Sequence, residues 1–203
     1  MRRTKEDAAI TREQLLKKAL NVFSRKGYAS TTLEDIAQEA SVTRGAIYWH
    51  FGSKAELYNT LIREYSDRGS LIVQKAAAEG GSFLDILRRA FVMQLQMVEE
   101  DKEMQALMEL ALFKTGLVSE LEEGRQQQIK SGITLIENMA GIMQQGIDQG
   151  FLRSDIKSKE MARTYLALQN GVIQLWLTTP SEFSLSASAE SFADILIAGL
   201  QKQ

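Results

Sequence analysis

The chain has 203 residues, enough for one large domain or for a small one joined to a larger. Hydrophobic residues make up 44% and charged residues 25%, an ordinary soluble balance, and the single proline, Pro180, leaves long stretches open to helix. The lack of cysteine excludes disulfides and thiolate metal sites, and with His50 as the sole histidine a histidine zinc cluster is excluded as well. Neither metal nor cofactor is therefore expected. The charged start, Met1-Arg2-Arg3-Thr4-Lys5-Glu6-Asp7, has no apolar run after it and does not read as a secretory signal. The longest uncharged stretch, Thr164 to Ser181, carries Gln169, Asn170 and Gln174, each costly in lipid, so a cytoplasmic chain without membrane contact is expected. Net charge is −2, yet residues 1–54 hold ten Lys/Arg against six Asp/Glu. A basic head on an acidic body suits phosphate binding by a small domain.

In chain order, Leu15, Leu16, Ala19, Leu20 and Phe23 repeat at helical period, and Thr11 with Gln14 has capping-box spacing, predicting a first helix from about Thr11 to Lys26. Gly27 ends it. Thr31 and Glu34 suggest a second capping box opening a short helix through about Glu39, with Leu33, Ile36 and Ala37 inward. After a turn at Ala40-Ser41-Val42, Thr43 caps a third helix to about His50. These short helices have little core of their own and must lean on later parts of the chain. A fourth helix from Lys54 to about Ala78 carries Leu57, Leu61, Ile62 and Tyr65 on one face and stops at Gly80-Gly81. Further helices are expected near 83–99, 102–114, 119–149, 158–178 and 187–201. In the 119–149 helix, Ile129, Ile133, Ile136, Ala140, Met143 and Ile147 form a packing stripe. The fold class is all-α, about nine helices: an N-terminal three-helix head, 1–54, and a larger helical body, 55–203.

The segment Thr31 to Phe51 meets the needs of a helix-turn-helix: a small residue where two helices cross, a tight turn, and an apolar clamp, supplied by Ala37, Ala40-Ser41-Val42 and Ile47. The first turn of the third helix would then enter the major groove of double-stranded DNA. Thr43 would donate to a phosphate or base, Arg44 would reach guanine in bidentate fashion, and Gly45 would let backbone approach. Tyr48, Trp49, His50 and Lys54, with Thr31 and Thr32 at a helix N-terminus, are the candidate phosphate contacts.

This segment resembles the DNA-binding signature of the TetR family: Gly27-Tyr28, Thr31-Thr32, Ile36-Ala37, then Gly45, Tyr48, His50-Phe51, Lys54 and Leu57 fall at the family's spacing. Val42 through Phe51, preceded by Arg2-Arg3-Thr4-Lys5, is similar to the AcrR-like branch that controls multidrug efflux pumps. Ser41 stands where the family usually has Gly, which would cost about 1 kcal/mol in a left-handed turn. The resemblance implies a repressor that binds a palindromic operator as a homodimer and is released by a small apolar or aromatic effector, its dimer formed by the last two helices.

The body is compatible with both features. Tyr165 to Leu177 is apolar on nearly every side, and the last helix offers a matching stripe, so Leu166, Trp176, Phe192, Ile195, Leu196 and Gly199 are the candidate dimer residues. By resemblance, Asn170 beside Gly171 is the first polar candidate for the effector cavity, joined by Ile173 and Gln174; Met93, Met97, Met108 and Phe113 would supply a pliable wall. Met and Phe at helical spacing are also ordinary core. The fourth helix, joining head and body, would carry ligand binding to the head. An enzyme is not expected: the sole histidine lies in the DNA-facing motif, and no Walker loop, dinucleotide fingerprint or nucleophile elbow occurs. The alternative is a TetR-like activator, or a partner-binding protein that has lost DNA binding, the mark of the latter being a damaged recognition helix.

Overall fold

A computed structural model describes residues 5–116 and 118–202, with side chains from Arg12 onward except those of Tyr65, Ser66 and Ser70. Arg2, Arg3 and Thr4, and the side chains of Lys5, Thr11 and Tyr65, thus lie outside the described residues. Among those described, nine α-helices occur: α1 (Lys5–Lys26), α2 (Leu33–Ala40), α3 (Arg44–Phe51), α4 (Lys54–Ala78), α5 (Phe83–Glu100), α6 (Lys102–Glu109), α7 (Glu122–Asp148), α8 (Ser158–Thr178) and α9 (Leu185–Leu200). A π turn, Leu110–Lys114, extends α6, and a 3-10 turn, Ser119–Leu121, precedes α7. The only β feature described is an isolated bridge between Leu152 and Gln201. No described helix is long and apolar enough to cross a membrane.

The helix starts follow local chemistry. Ser82, Ser184 and Thr43 have extended backbone and hydroxyls that accept from the amide three residues on, satisfying donors the first turn leaves open. The α1 backbone is already helical at Lys5, so its start is not at Thr11 as the capping-box spacing suggested. The α2 box is shifted by one residue: Thr32 accepts from Asp35 N at 3.1 Å, and Thr32 N donates to Asp35 Oδ2 at 3.0 Å. Thr31 is buried, its hydroxyl turned back toward α1 to donate to Gly27 O at 2.7 Å, and the cap falls to Thr32.

The chain forms two compact units. The first runs to Asp67 and also takes Lys102–Arg125, so the expected head, 1–54, belongs to a larger body of structure. Its core gathers Leu16, Leu20 and Phe23 from α1, Ile36 from α2, Ile47 and Phe51 from α3, Leu57 and Leu61 from α4, and Leu107, Leu110 and Leu121 from the later segment. α1 lies against both α2 and α6. Phe23, Tyr28 and Tyr58 pack ring to ring, with centroids 5.1–6.1 Å apart. Gly27, at φ 76°, ends α1 where a Cβ would stand 3.1 Å from Lys114 O, and Tyr28 N donates to that same oxygen.

The second unit comprises Arg68–Asp101 and Gln126–Gln203. α5 packs chiefly on α9, and also on α8, where Tyr165 meets Phe91 edge to face at 5.4 Å and donates to Leu87 O. Arg88 of α5 pairs with Glu190 and Asp194 of α9. Glu99, at the other end of α5, accepts from Ser184 Oγ at 3.0 Å and Ser186 N at 2.6 Å, an anion at the start of α9. The predicted stripe of α7 holds only in part. Ala140 and Met143 are buried, whereas Ile129 and Ile133 are exposed, because the helix outruns the neighbours that cover its C-terminal half.

Candidate nucleic-acid interface

α2 and α3 are joined by a turn whose pivot is Ser41, at φ 54° and ψ 42°, the sole non-glycine with positive φ among the described residues. This left-handed step lets Ser41 N donate to Gln38 O at 3.2 Å and Val42 N to Ala37 O at 3.0 Å, closing the C-terminus of α2. Ala37 is buried at the crossing, and Ile47 and Phe51 hold α3 to the core. Cross-helix ion pairs fix α2 on α1: Arg25 to Glu39 at 2.9 Å, Lys26 to Asp35 at 2.7 Å, and Lys18 to Glu39 at 3.8 Å. Each is exposed and individually weak, but together they set the register of the helix that carries α3.

With Ile47 and Phe51 turned inward, the rest of α3 is left outside. Arg44, Gly45 and Tyr48 are exposed, and Trp49 is 74% exposed. Thr43 caps α3 by accepting from Ala46 N at 3.2 Å, leaving its own hydroxyl proton to point elsewhere. A Cβ on Gly45 would meet only Thr43 Oγ1 at an ordinary 3.7 Å, so nothing within the chain requires glycine there. Arg44 donates to Tyr48 Oη at 2.9 Å, and its guanidinium lies 5.2 Å from the centre of the Tyr48 ring. The side-chain groups gathered here are chiefly donors: a guanidinium, two hydroxyls and an indole N–H. That is the complement of phosphate oxygens and of the acceptor-rich edge of guanine.

Three residues expected at this surface have other or additional duties. Thr31 is buried and spent on Gly27 O, and Thr32 is exposed but committed to the α2 cap. Lys54 is turned inward: Nζ donates to Thr31 O at 3.1 Å and Tyr28 O at 3.3 Å, pairs with Glu120 at 3.2 Å, and sits 4.3 Å from the Tyr28 ring centre. Two carbonyls between α1 and α2 converge there on this one ammonium. His50 is half-buried between the rings of Trp49 and Phe51. Glu34, exposed on α2, was expected only as a capping-box partner of Thr31, a place that Asp35 takes with Thr32. Its charge acts on Arg44, whose guanidinium is held above its ordinary pKa first by the Tyr48 hydrogen bond. An acidic residue at the second position of a helix has no sequence signature beyond favouring that helix.

The residues expected to line the effector site fall in both units. Met93 and Met97 of α5 are half-buried and Ile173 of α8 is buried, all in the second unit, whereas Met108 and Phe113 belong to the first, Phe113 exposed on the π turn. Asn170 and Gln174 are exposed on α8 beside Gly171, on the face left open by its packing on α5 and α9. The expected dimer residues also divide. Trp176 and Leu196 are buried within their own unit, Leu166 and Phe192 are half-buried, and Ile195, at 68%, and Gly199 face out. No cluster of His, Asp or Glu that could hold a metal ion occurs among the described residues.

A capped two-helix motif with an exposed donor face, carried on an all-helical chain, defines a DNA-binding transcription regulator of the helix-turn-helix class. Residues 15–61 match the model of bacterial regulatory proteins of the tetR family, and residues 82–202 match the C-terminal region of MAATS-type transcriptional repressors. The chain belongs to the tetR family. It is similar to the HTH-type transcriptional regulator AcrR of Shigella flexneri, 30% identical over 97% of this chain and 92% of AcrR. It is likewise 31% identical to the regulator TtgR of Pseudomonas putida, over 96% of this chain and 93% of TtgR. Among solved structures it superimposes on NalD, the secondary repressor of the MexAB-OprM multidrug efflux pump in Pseudomonas aeruginosa, with a TM-score of 0.86 and 25% identity, covering 98% of this chain and 100% of NalD. The SmeT–triclosan complex gives a TM-score of 0.81 at 26% identity, covering 96% of this chain and 93% of SmeT.

Proposed function

We propose that this protein works in the cytoplasm as a homodimeric repressor of an efflux operon, bound to a palindromic operator and released by a small apolar effector. The observation that carries the reading is the intact donor face of α3, with Arg44, Gly45, Tyr48 and Trp49 exposed on a helix whose other side is anchored by Ile47 and Phe51. The similarity to repressors named for multidrug efflux pumps supports the target, and the triclosan complex of SmeT supports an aromatic effector. Thr43 and Arg44 read bases, while Tyr48, Trp49 and the N-terminus of α2 at Thr32 hold phosphates. Met93, Met97 and Ile173 contribute to an apolar effector wall in the second unit. A second copy covers Ile195, Gly199 and the exposed side of α8 at Asn170 and Gln174, making an intersubunit bundle of α8 and α9. α4, which contributes residues to both units, transmits effector binding to the head.

The test is operator release. A duplex chosen by the protein from a randomised library is titrated with protein, with and without triclosan and a panel of apolar aromatic compounds. At least one compound should weaken binding about tenfold or more, within the usual range of coupling between sites. Unchanged affinity with every compound would overturn induction, and failure to choose any duplex would overturn DNA binding itself.

A further inference from the structure

We propose that Tyr48 is a positioning residue for base reading, holding the Arg44 guanidinium in place before DNA arrives; the inference rests on the base-reading role proposed above for Arg44. Arg44 is the first residue of α3 and Tyr48 stands one turn further on, on the same exposed face. Two contacts join them. Arg44 donates to Tyr48 Oη at 2.9 Å, and the guanidinium lies 5.2 Å from the ring centre, within reach of the electron-rich face.

The physical consequence concerns entropy and direction. An exposed arginine samples many rotamers, and ordering it at a base edge costs affinity at the moment of recognition. A guanidinium already resting on a neighbouring ring has lost much of that freedom in the free protein. Only one of its donor nitrogens makes this bond, so the planar fork retains donors for the O6 and N7 acceptors of a guanine. Because Tyr48 Oη accepts from Arg44, its own proton remains to be donated to a phosphate, and one phenol then ties the base-reading residue to the backbone-gripping one. The ring must be aromatic to stack and must carry its hydroxyl to fix the angle. Phenylalanine would keep the first property and lose the second.

The test measures discrimination. The duplex selected from a randomised library is remade with each base pair substituted in turn, and binding is compared for the wild type, Arg44→Ala, Tyr48→Phe and the double variant. Arg44→Ala identifies the base pair that Arg44 reads. Tyr48→Phe is expected to reduce discrimination at that same pair about three- to tenfold, the worth of one oriented hydrogen bond, and to leave discrimination elsewhere unchanged. In the Arg44→Ala background it should alter discrimination nowhere. If Tyr48→Phe weakens every duplex equally with discrimination unchanged, or has the same effect on discrimination with and without Arg44, Tyr48 is a phosphate contact alone and the proposal is overturned. Tighter or more selective binding by Tyr48→Phe would overturn it in the opposite sense, since the tyrosine would then be holding Arg44 back. Should Arg44→Ala leave every position as selective as before, the base-reading role of Arg44 has failed, an outcome visible without any Tyr48 variant.

Discussion

Lys54 Nζ lies 3.1 Å from the carbonyl oxygen of Thr31, so the lysine at the start of α4 fastens the loop that leads into α2. Glu120 neutralises it from the other side at 3.2 Å, and the Tyr28 ring lies beneath it. The lysine of the DNA-binding signature thus also acts as an internal fastener, supplying a donor to the buried Thr31 carbonyl.

Lys54→Met should therefore lower stability by about 1–3 kcal/mol, the cost of leaving the Thr31 carbonyl without this donor. The slope of log affinity against log salt should not change, because no phosphate contact is lost. Urea unfolding and operator titration at several salt concentrations measure the two. A slope shallower by about 1 with unchanged stability would identify Lys54 as a phosphate contact.

Ser41 sits at φ 54° in a left-handed turn, where a Cβ is strained. Ser41→Gly should stabilise the chain by about 0.5–1 kcal/mol, the relief of strain exceeding the added freedom of glycine in the unfolded chain. A denaturant midpoint moving upward at constant slope is the expected result. A downward shift would mean that the serine side chain contributes more than the strain removes.

Asp35 accepts from Lys26 and from both the backbone and the hydroxyl of Thr32, and these bonds, that from Lys26 first, lower its pKa from 3.8 to about 2. A carboxyl held below its ordinary value stabilises the fold above that value and ceases to do so as pH falls through the lowered one. The stability gap between the wild type and Asp35→Asn should be constant above about pH 4 and close between about pH 4 and pH 2, as read from thermal midpoints. A gap that persisted unchanged to pH 2 would assign the effect to something other than the Asp35 charge.

Much of this arrangement was legible in the residues. Thr43 as the cap of α3, Ala37 at the crossing, Ile47 as the clamp and Lys54–Ala78 as one helix all follow from capping chemistry and period. Where two candidate caps were adjacent, period alone could not choose: Thr31 and Thr32 both have an acidic residue three positions on, and burial decided for Thr32. Long-range packing was the larger omission. That Leu107, Leu110 and Leu121 complete the core around α1 depends on chain folding that no local pattern encodes. The same applies to α8, whose apolar run gave no sign of which side its own neighbours cover, so the exposure of Asn170 and Gln174 could not be read from it.

Ile195 is 68% exposed on α9, and in the proposed dimer a second copy covers it. Ile195→Asp should leave the thermal midpoint of the separated chain unchanged and weaken self-association about a hundredfold or more, through burial of an unpaired charge. Sedimentation across a range of concentrations reads this directly. A dimer as tight as the wild type would move the interface elsewhere.

The central claim is that two copies of the α3 face, centred on Arg44 and Tyr48, read successive major grooves on one side of a duplex. Hydroxyl-radical footprinting on a selected duplex tests it most directly. The predicted result is a two-fold symmetric pattern of protection with half-site centres about 10 base pairs apart, or a multiple of that. A single asymmetric patch, or a symmetric pattern that survives Arg44→Ala and Tyr48→Ala together at full strength, would contradict it.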